Sequence, residues 1–450
     1  MPDYRKAMDS GAVLYDRRIL SQLIAFTKEI RLIRPENIQS YKAQFIAGNE
    51  SPFIFRGGIG ITWWHTDRGF KLCNNIASMS IERYVQLAGG DKDKFSEVIK
   101  NAFCLICTNA KFFHIMDGLL RRKQSLFEAR AIDDVSAFSE KLWDFILAKM
   151  ENSIGHWCVV YPLPRLITDS IRIPNANIYL LKRTDKKTWK EFELEYPETK
   201  YWDPSTGFFS DGKPTAFSQL KYEALLLCLC TGTSNGGKFK AKLEFKMFLS
   251  VLFAIFRIQK QLQLSKSAAQ PYRICMQFQG KDNQSSGGTS LSEIGKLLPY
   301  YIHDFELRTD TAEVLEEWYD SLQHFEIDIK NRVKKAAHFI NNAMVSDDID
   351  AFIHYFISLD ALFGKRGDVE RLILEGVETC TSNPLWTQKA KWLYDLRSEL
   401  VHGGTRYEKE WKYFDRYVHH FGTRHLADVM DLALLCILKS VLPNLTYEVR

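Results

Sequence analysis

Two residues near the C-terminus, Arg397 and His402, have the side chains that cleavage of RNA without a metal requires. Such cleavage needs a base for the proton of the ribose 2′-hydroxyl, a fixed cation beside the phosphate and an acid for the leaving 5′-oxygen. Histidine titrates near neutral pH and suits the proton transfers, whereas arginine stays charged and binds phosphate oxygens through two donors. The pair therefore indicates chemistry that needs neither a metal nor a cofactor.

The spacing of Arg397 and His402 constrains how they could act together. Five positions along an ideal helix rotate a side chain by about 500°, which leaves the two side chains about 140° apart. One unbroken helix would not easily aim both at one phosphate. Gly403 and Gly404 follow His402 and end the helix, and a two-fold dimer would bring two helix ends together. We therefore expect a composite site at a symmetric interface between two copies of the chain.

A pair of this kind also arises by chance, because the motif is short. Arg332 and His338 form a second pair with five residues between them, and we interpret that pair as a solvated helix face. The sequence of the elements around Arg397 is therefore stronger evidence for a catalytic site than the spacing between Arg397 and His402.

Helical periodicity dominates the chain from Thr309 onwards. A long helix opens at Asp310, and its apolar stripe runs from Val314 to Ile340. Four further helices are predicted: one that is capped by Asp347 and Asp348 and ends at Gly364–Gly367, one at Val369–Cys380, one that starts at Asn383–Pro384 and ends after His402, and one at Leu426–Leu442. Long helices joined by short loops predict an all-α bundle.

Two stretches of this region resemble the Apea-like HEPN family. Ile357-Ser-Leu-Asp-Ala-Leu-Phe-Gly364 is similar to the family's Leu-Glu-Ala-Leu-Phe helix, with Asp360 in the acidic position. Tyr394-Asp-Leu-Arg-Ser-Glu-Leu-Val-His-Gly403 is similar to its Tyr-x-x-Arg-Ser-x-(Leu/Ile)-Val-His-Gly signature. The resemblance covers residues 310–445, about a third of the chain, and no family resemblance is seen in the rest.

The resemblance implies a role for each matched residue. Arg397 and His402 match the catalytic pair of HEPN ribonucleases, which dimerise, need no metal and usually leave a 2′,3′-cyclic phosphate. Asp360 matches an acidic position that could orient either of them. Ser398 stands where many HEPN enzymes carry Asn, Asp or His, although Apea-like members often have Ser there, and Glu399 is a further supporting candidate. Such proteins often cleave tRNA or mRNA in phage defence or as toxins.

The first 290 residues predict an α+β region of one or two domains, followed by a linker at 291–308 and the HEPN-like helical bundle at 309–450. Polar, glycine-rich segments at Thr231–Gly237 and Gly280–Ser290 are interpreted as loops. The apolar run Met247–Phe256 is too short to span a membrane and predicts a buried core helix. Helices are predicted at Arg17–Arg31, Phe95–Arg121, Asp133–Ile154, Phe217–Cys230 and Lys238–Gln263, and strands at Phe53–His65, Ile171–Tyr196 and Tyr272–Phe278.

Charge is distributed unevenly along the chain, whose net charge is +5. Residues 309–450 contain 17 Lys and Arg against 23 Asp and Glu, a net charge of −6. The remaining 308 residues contain 43 against 32, a net charge of +11. The N-terminal region is therefore the expected electrostatic platform for RNA, or for a phage or protein trigger, with a moderately basic surface that has no partner as the alternative.

Other candidate sites have simpler interpretations. Nine cysteines in a chain without a recognisable signal peptide indicate reduced, buried thiols and a cytoplasmic protein. Cys104 and Cys107, with His114 nearby, lack the second pair that a zinc site needs. Trp63 and Trp64 are interpreted as core aromatics rather than a base-stacking surface. His419, His420 and His425 are interpreted as a polar loop and a helix start, with the lining of an RNA groove as the alternative.

Two functions follow from these observations. The first is a cytoplasmic, homodimeric endoribonuclease with no cofactor and no membrane association, in which Arg397 and His402 are catalytic. The alternative is a non-catalytic HEPN module for dimerisation or binding in a larger assembly. In that case Arg397 would pair with Asp360, Asp395 or Glu399, and His402 would cap its helix. A nucleotide-modifying enzyme is a weaker third option, because no nucleotidyltransferase signature is visible.

Overall fold

The chain forms two compact units in a computed structural model. The first unit comprises Met1–His156, Thr231–Gly237 and Asp282–Gly287, and the second comprises Trp157–Cys230, Lys238–Lys281 and Gly288–Arg450. The C-terminal helices therefore belong to the same unit as the chain from Trp157 onwards, so this division differs from the predicted one at 291–308. The structure describes residues 15–31, 43–46, 62–108, 122, 124–130, 135–260, 272–282, 288–299, 303–365 and 367–445.

The first unit is built mainly from helices around one apolar core. The first helix begins after Asp16, whose carboxylate accepts hydrogen bonds from the backbone N–H groups of Arg18 and Ile19. Its buried positions Ile19, Leu23 and Phe26 repeat at helical spacing. The elements are α1 (Arg17–Glu29), β1 (Ile30–Arg31), β2 (Ala43–Ile46), β3 (Thr62–His65), α2 (Asp67–Arg83), α3 (Lys92–Thr108), α4 (Leu126–Arg130) and α5 (Val135–Glu151).

The helices predicted in this unit are confirmed as α1, α3 and α5. Of the predicted strands around the glycines at 57–60, the second corresponds to β3, which pairs antiparallel with β1 and β2. Residues 53–61 and 109–121, including His114, lie outside the described residues, as do the side chains of Trp63, Trp64, Cys104 and Cys107. His65 is fully buried, so it belongs to the core as expected.

A six-stranded sheet forms the centre of the second unit. Its strand order is β12-β11-β4-β10-β7-β6, and neighbouring pairs such as β4–β11 and β7–β10 run antiparallel. Shorter pairs lie outside it, among them a parallel pair of β5 with β13. The strands are β4 (Gly155–Leu163), β5 (Leu166–Thr168), β6 (Ile171–Ile173), β7 (Ile178–Lys182), β8 (Trp202–Asp203), β9 (Phe208–Phe209), β10 (Ala224–Gly232), β11 (Ile274–Gln279), β12 (Ser290–Glu293) and β13 (Phe305–Leu307).

Both faces of this sheet are buried, each in a different apolar cluster. Alternate residues of a strand point to opposite faces, so Val159 and Val160 enter different clusters. One face packs with aromatic side chains of the segment between β7 and β10, which includes the short helix α6 (Lys186–Glu191): Trp189, Phe192, Trp202 and Phe217. The other face shares a core with α7 (Ser234–Ile258) and the C-terminal helices.

Helix α7 confirms the prediction of a buried core helix. Every residue from Met247 to Phe256 is buried, and Ser250 donates a hydrogen bond of 2.8 Å to the carbonyl of Ala337. Arg257 at its end forms two hydrogen bonds with the carboxylate of Asp431. Helix α7 is therefore shared by the sheet and the C-terminal helices. Among the described helices, none is both long and apolar enough to cross a membrane.

The C-terminal region is helical, as predicted, with three differences from the predicted elements. The single long helix is two helices that meet at His324–Glu326, with Asp310 in the first turn rather than at the cap, and a short helix after Trp411 was not predicted. The helices are α8 (Thr309–Gln323), α9 (Ile327–Met344), α10 (Asp348–Phe363), α11 (Val369–Thr381), α12 (Pro384–Val401), α13 (Phe414–Phe421) and α14 (His425–Lys439).

Several predictions between residues 171 and 308 were wrong. Phe217–Cys230 is not a helix, because Ala224–Gly232 forms the central strand β10. Trp189–Tyr196 is not a strand, because it forms α6 and a 3-10 turn. The segment Thr231–Gly237 contains the end of β10 and the start of α7, and the predicted linker contains β13 and most of β12. The strands β6, β7 and β11 are confirmed.

The thiols also agree with the prediction. The seven cysteines whose side chains are described are free, and all of them except the half-buried Cys230 are buried.

Candidate functional site

Helix α12, which carries the candidate catalytic pair, is fixed at its start by a side-chain cap. The Asn383 amide oxygen accepts a hydrogen bond of 2.9 Å from the backbone N–H of Leu385, and Pro384 occupies the first helical position. The buried face of the helix then includes Trp386, Leu393 and Leu396. Neighbouring α10 contributes Phe356, whose ring lies 5.8 Å from that of Tyr394.

A buried ion pair joins α12 to α14. The Lys389 ammonium lies 2.8 Å from the Asp428 carboxylate, and only 7% and 3% of these side chains are exposed. Asp428 also accepts hydrogen bonds from the hydroxyls of Tyr417 and Thr423. Burial and the neighbouring Asp428 raise the pKa of Tyr417, so its hydroxyl stays protonated and donates. Because both charges are buried and satisfied, the orientation of α12 is strongly determined.

The end of α12 sets the position of His402. The His402 N–H donates to the carbonyl of Ser398 at 3.0 Å, and the Gly404 N–H donates to the carbonyl of Glu399 at 2.8 Å. Gly403 lies between these residues with φ +75°, in the left-handed region. This is the Schellman pattern of a helix C-terminus, and it confirms the predicted end at Gly403 and Gly404.

Arg397 and His402 are both open to solvent at this end of the helix. Arg397 is half-buried and His402 is exposed. Within the part of the chain that the structure describes, neither side chain has a hydrogen bond or ion pair. An arginine and a histidine without internal partners can bind an external anion and exchange protons with it.

Among the described residues, the side chains of the supporting residues form no hydrogen bond or ion pair with the side chains of Arg397 and His402. Asp360 is half-buried, and its carboxylate lies against Gly364, where an added Cβ would be 1.8 Å from Oδ1. Glu399 forms an ion pair of 3.5 Å with Lys412. Ser398 contributes its carbonyl to the helix end, and its half-buried side chain has no hydrogen bond among the described residues.

Two of the carboxylates that could have neutralised Arg397 are engaged elsewhere, whereas the carboxylate of Asp360 has no hydrogen bond or ion pair among the described residues. Besides Asp360 and Glu399, the alternative function named Asp395 as a partner. Asp395 accepts a hydrogen bond of 3.1 Å from the Trp411 indole. The ion pairs that the non-catalytic alternative expects for Arg397 are absent from the described residues. Its other expectation agrees with the structure, because His402 occupies the C-cap position.

The remaining histidines of this region separate into two groups. His425 is buried, and its Nε2 forms a short hydrogen bond with the Glu408 carboxylate. This bond lowers the pKa of Glu408 below its ordinary value of 4.5. His419 and His420 are exposed on α13, where His420 stacks on Trp392. His419 and His420 therefore lie on a helix, not in the predicted loop.

The second Arg/His pair is not a fully solvated face. Arg332 donates a hydrogen bond of 3.1 Å to the carbonyl of Leu362, and His338 lies within 3.1 Å of the Asn342 amide nitrogen. Both residues are half-buried. The pair is therefore tied to its own neighbours, unlike Arg397 and His402.

The residues that position the candidate site were not all found from the sequence. Lys389 and Asp428 were missed, although Lys389 lies between Trp386 and Leu393 on the apolar face of α12, where an isolated lysine indicates a buried partner. Among the described residues, no three His, Cys, Asp or Glu side chains form a group that could hold a metal ion. Comparisons with protein-family models, with curated proteins and with solved structures gave no match.

Proposed function

We propose that this chain is a metal-independent endoribonuclease of the HEPN type. The observation that carries the proposal is the state of Arg397 and His402, which lie unpaired and open to solvent beside the capped end of α12. The carboxylates near them in sequence are held by other partners or by packing. A cation and a proton-transfer group are thereby left for an external phosphate.

The reaction proceeds by attack of a ribose 2′-oxygen on the adjacent phosphorus. His402 removes the 2′-hydroxyl proton or donates a proton to the leaving 5′-oxygen, and Arg397 stabilises the added charge on the phosphorane oxygens. The P–O5′ bond breaks, and the products are a 2′,3′-cyclic phosphate and a free 5′-hydroxyl. No electron transfer occurs, so the reaction needs no redox cofactor.

The proposal includes a homodimer through the C-terminal helices. Arg397 and His402 are about 140° apart around an ideal helix, so two copies are needed to surround one phosphodiester. Val401, next to His402, exposes half of its surface, which gives this helix end an apolar contact as well as charge. The HEPN-like character of the bundle rests on the two stretches at 357–364 and 394–403.

The test is cleavage of defined RNA by purified protein in the presence of EDTA. We expect Arg397→Ala and His402→Ala each to lower the cleavage rate by at least about 100-fold, since each removes a group that acts in the transition state. The 5′ fragment should end in a 2′,3′-cyclic phosphate. Both variants should keep the wild-type oligomeric state, because neither side chain has an internal partner.

Two variants serve as controls. His419→Ala removes an exposed histidine from α13, and Lys391→Ala removes an exposed positive charge from α12 itself. Both should retain most of the activity. Full activity of His402→Ala, or loss of wild-type activity in EDTA, would contradict the mechanism.

A non-catalytic dimerisation or binding module is the second candidate, and one observation favours it: His402 stands at the C-cap position of α12. Overproduction in cells distinguishes the two. A nuclease should be toxic as the wild type and harmless as Arg397→Ala, whereas a binding module should show no such difference. Cleavage of tRNA or mRNA in a cytoplasmic phage-defence or toxin system is the setting that the first proposal implies.

A further inference from the structure

A buried lysine without a carboxylate partner lies between α7 and α9. Lys246 is 6% exposed, and its ammonium donates a hydrogen bond to the amide oxygen of Asn342. No other partner of Lys246 is present among the described residues. A buried ammonium is costly unless an anion compensates it, and an amide oxygen supplies only a partial charge.

The hydrogen bond from Lys246 to Asn342 determines the tautomer of His338. The ammonium can only donate, so the Asn342 oxygen faces Lys246 and the Asn342 Nδ2 faces His338. Nδ2 lies 3.1 Å from His338 Nε2, which must therefore accept. Neutral His338 consequently carries its proton on Nδ1. That nitrogen is buried and has no hydrogen-bond partner in the described structure, so it is a donor without an acceptor.

The other charged groups around Lys246 are mostly positive. Helix α7 also carries Lys242, whose Nζ would be 3.1 Å from a Cβ at Gly295, and α10 carries His354, whose Nδ1 is likewise buried without a partner. Helix α7 contains one acid, Glu244, which is paired with Lys334 of α9 at 3.2 Å. The segment that contains Gly295 adds Lys296, and its acid, Glu293, is paired with Arg273 at 4.0 Å.

Burial and the positively charged neighbours lower the pKa values of both Lys246 and His338. Burial, followed by the charge of Lys242, lowers the pKa of Lys246 to about 8. Burial, followed by Lys246, Lys242 and His354, lowers the pKa of His338. Near neutral pH, Lys246 therefore remains mainly charged and His338 is mainly neutral, which agrees with the tautomer derived above.

We propose that Lys242, Lys246, His338 and His354, here called the Lys246 cluster, bind a small oxyanion of the phosphate class. Such an anion supplies both the negative charge that Lys246 lacks and acceptor oxygens for the imidazole donors. A water molecule would satisfy an N–H group but would leave the ammonium uncompensated. The anion is small because Lys246 is nearly buried, which excludes the backbone of a nucleic acid. Its source is either free phosphate or the phosphate of a mononucleotide.

Calorimetric titration of the full-length protein tests this assignment. Inorganic phosphate should bind at pH 7 and raise the unfolding temperature above that in chloride of equal ionic strength. Lys246→Met should weaken phosphate binding by at least about tenfold, the effect expected for loss of one charge-assisted hydrogen bond. Lys335→Met, which removes an exposed lysine from α9, should bind phosphate like the wild type.

A second variant keeps the test decisive if Lys246→Met does not fold. Lys242→Gln changes a half-buried residue, and it should also weaken phosphate binding. Equal unfolding temperatures in phosphate and chloride, or wild-type affinity in both variants, would overturn the proposal. Titration with AMP identifies the source, since tighter binding than phosphate indicates a mononucleotide and equal binding indicates the free anion.

The pH dependence of binding gives an independent readout. Sulfate keeps a constant charge between about pH 7 and about pH 9, so only the protein titrates in this range. Affinity for sulfate should fall as the pH rises through 8, because Lys246 loses its proton there. Affinity that is constant over this range would contradict a role for Lys246.

Discussion

Arg397 forms no ion pair among the described residues, whereas two lysines of the same region do. Lys389 is neutralised by Asp428, and Lys412 lies beside Glu399. Asp395, the nearest acid before Arg397 on the helix, is held by Trp411. An unpaired guanidinium that remains half-buried loses less conformational freedom on binding phosphate than a fully exposed one would, which suits it to a fixed role in catalysis.

The Glu408–His425 hydrogen bond predicts acid sensitivity of the C-terminal helices. Because the pKa of Glu408 is lower in the folded than in the unfolded chain, its contribution to stability is present above about pH 4.5. It is lost as the pH falls through the folded-state value. Glu408→Gln should therefore lower the unfolding temperature near pH 6, with a smaller difference from wild type near about pH 3.

Glu410→Gln is the matched control for Glu408→Gln. Glu410 pairs with Arg406 at the surface, where solvent weakens the interaction, although this pairing also lowers its pKa. Its substitution should change the unfolding temperature much less near pH 6. A Glu408→Gln protein whose stability follows the wild type at every pH would show that the bond to His425 contributes nothing.

At the scale of elements, the left-handed glycine at the end of α12 links stability to the proposed RNA cleavage. An alanine at Gly403 would meet no atom within 4 Å, so its cost arises from the backbone alone, about 1–2 kcal/mol for a residue with a Cβ at φ +75°. Gly403→Ala should lower the free energy of unfolding by this amount. It should also reduce RNA cleavage, because the strained cap displaces the adjacent His402.

Gly422→Ala separates these two effects. Gly422 ends α13 with φ +67°, and a Cβ there is equally unobstructed. Urea unfolding should show a similar loss of stability for Gly422→Ala, while RNA cleavage remains near the wild-type rate. Equal cleavage by the two variants would mean that the conformation of Gly403 does not orient His402.

Hydrophobic periodicity predicted the amphipathic helices but not the central strand. Leu225 and Leu227 of β10 are buried on one face of the sheet and Leu226 and Cys228 on the other, so this part of the strand has no polar side. A run of leucine and alanine also favours a helix, and only the tertiary setting decides between the two. Helices of the bundle such as α8 and α11 were easier, because their buried residues lie on one face.

Two other errors arise from sequence patterns that fit more than one structure. Trp189–Tyr196 alternates like a strand, yet its buried residues Trp189, Phe192 and Tyr196 have helical spacing, and Leu194 is 79% exposed. The apolar stripe of α8 continues into α9 through Leu322 and Phe325 without Gly or Pro, so the break between them leaves no local signal.

The candidate site was predictable only as far as its local features. Arg397, His402 and the glycine cap lie within eight residues, and helix geometry relates them. The bond of Asp395 to Trp411 and the ion pair of Lys389 with Asp428 join distant parts of the chain. Their pairing depends on how helices pack, which periodicity does not specify.

At the scale of the whole molecule, a composite site predicts complementation between inactive proteins. Arg397→Ala and His402→Ala each lack one group, but a mixed dimer contains one intact Arg397 and one intact His402. If the two variants are mixed in equal amounts and exchange subunits at random, about half of the dimers contain one chain of each variant. Mixing the two variants should therefore restore part of the cleavage activity, measured after subunit exchange.

The double variant Arg397→Ala/His402→Ala, mixed with either single variant, is the control and should stay inactive. Purification through an affinity tag on one variant, followed by detection of the untagged variant in the eluate, should confirm that exchange has occurred. Mixed dimers that form without any cleavage would place both groups of the active site in one chain.

Helix α7 has a consequence for how the C-terminal helices can exist apart from the rest of the chain. Its residues Met247–Phe256 complete the core of the sheet and of the bundle at once, and Ser250 and Arg257 bond to α9 and α14. A protein that contained residues 309–450 without α7 would expose the apolar surface that α7 covers in this chain. We therefore expect the C-terminal helices to fold only together with the sheet of the second unit.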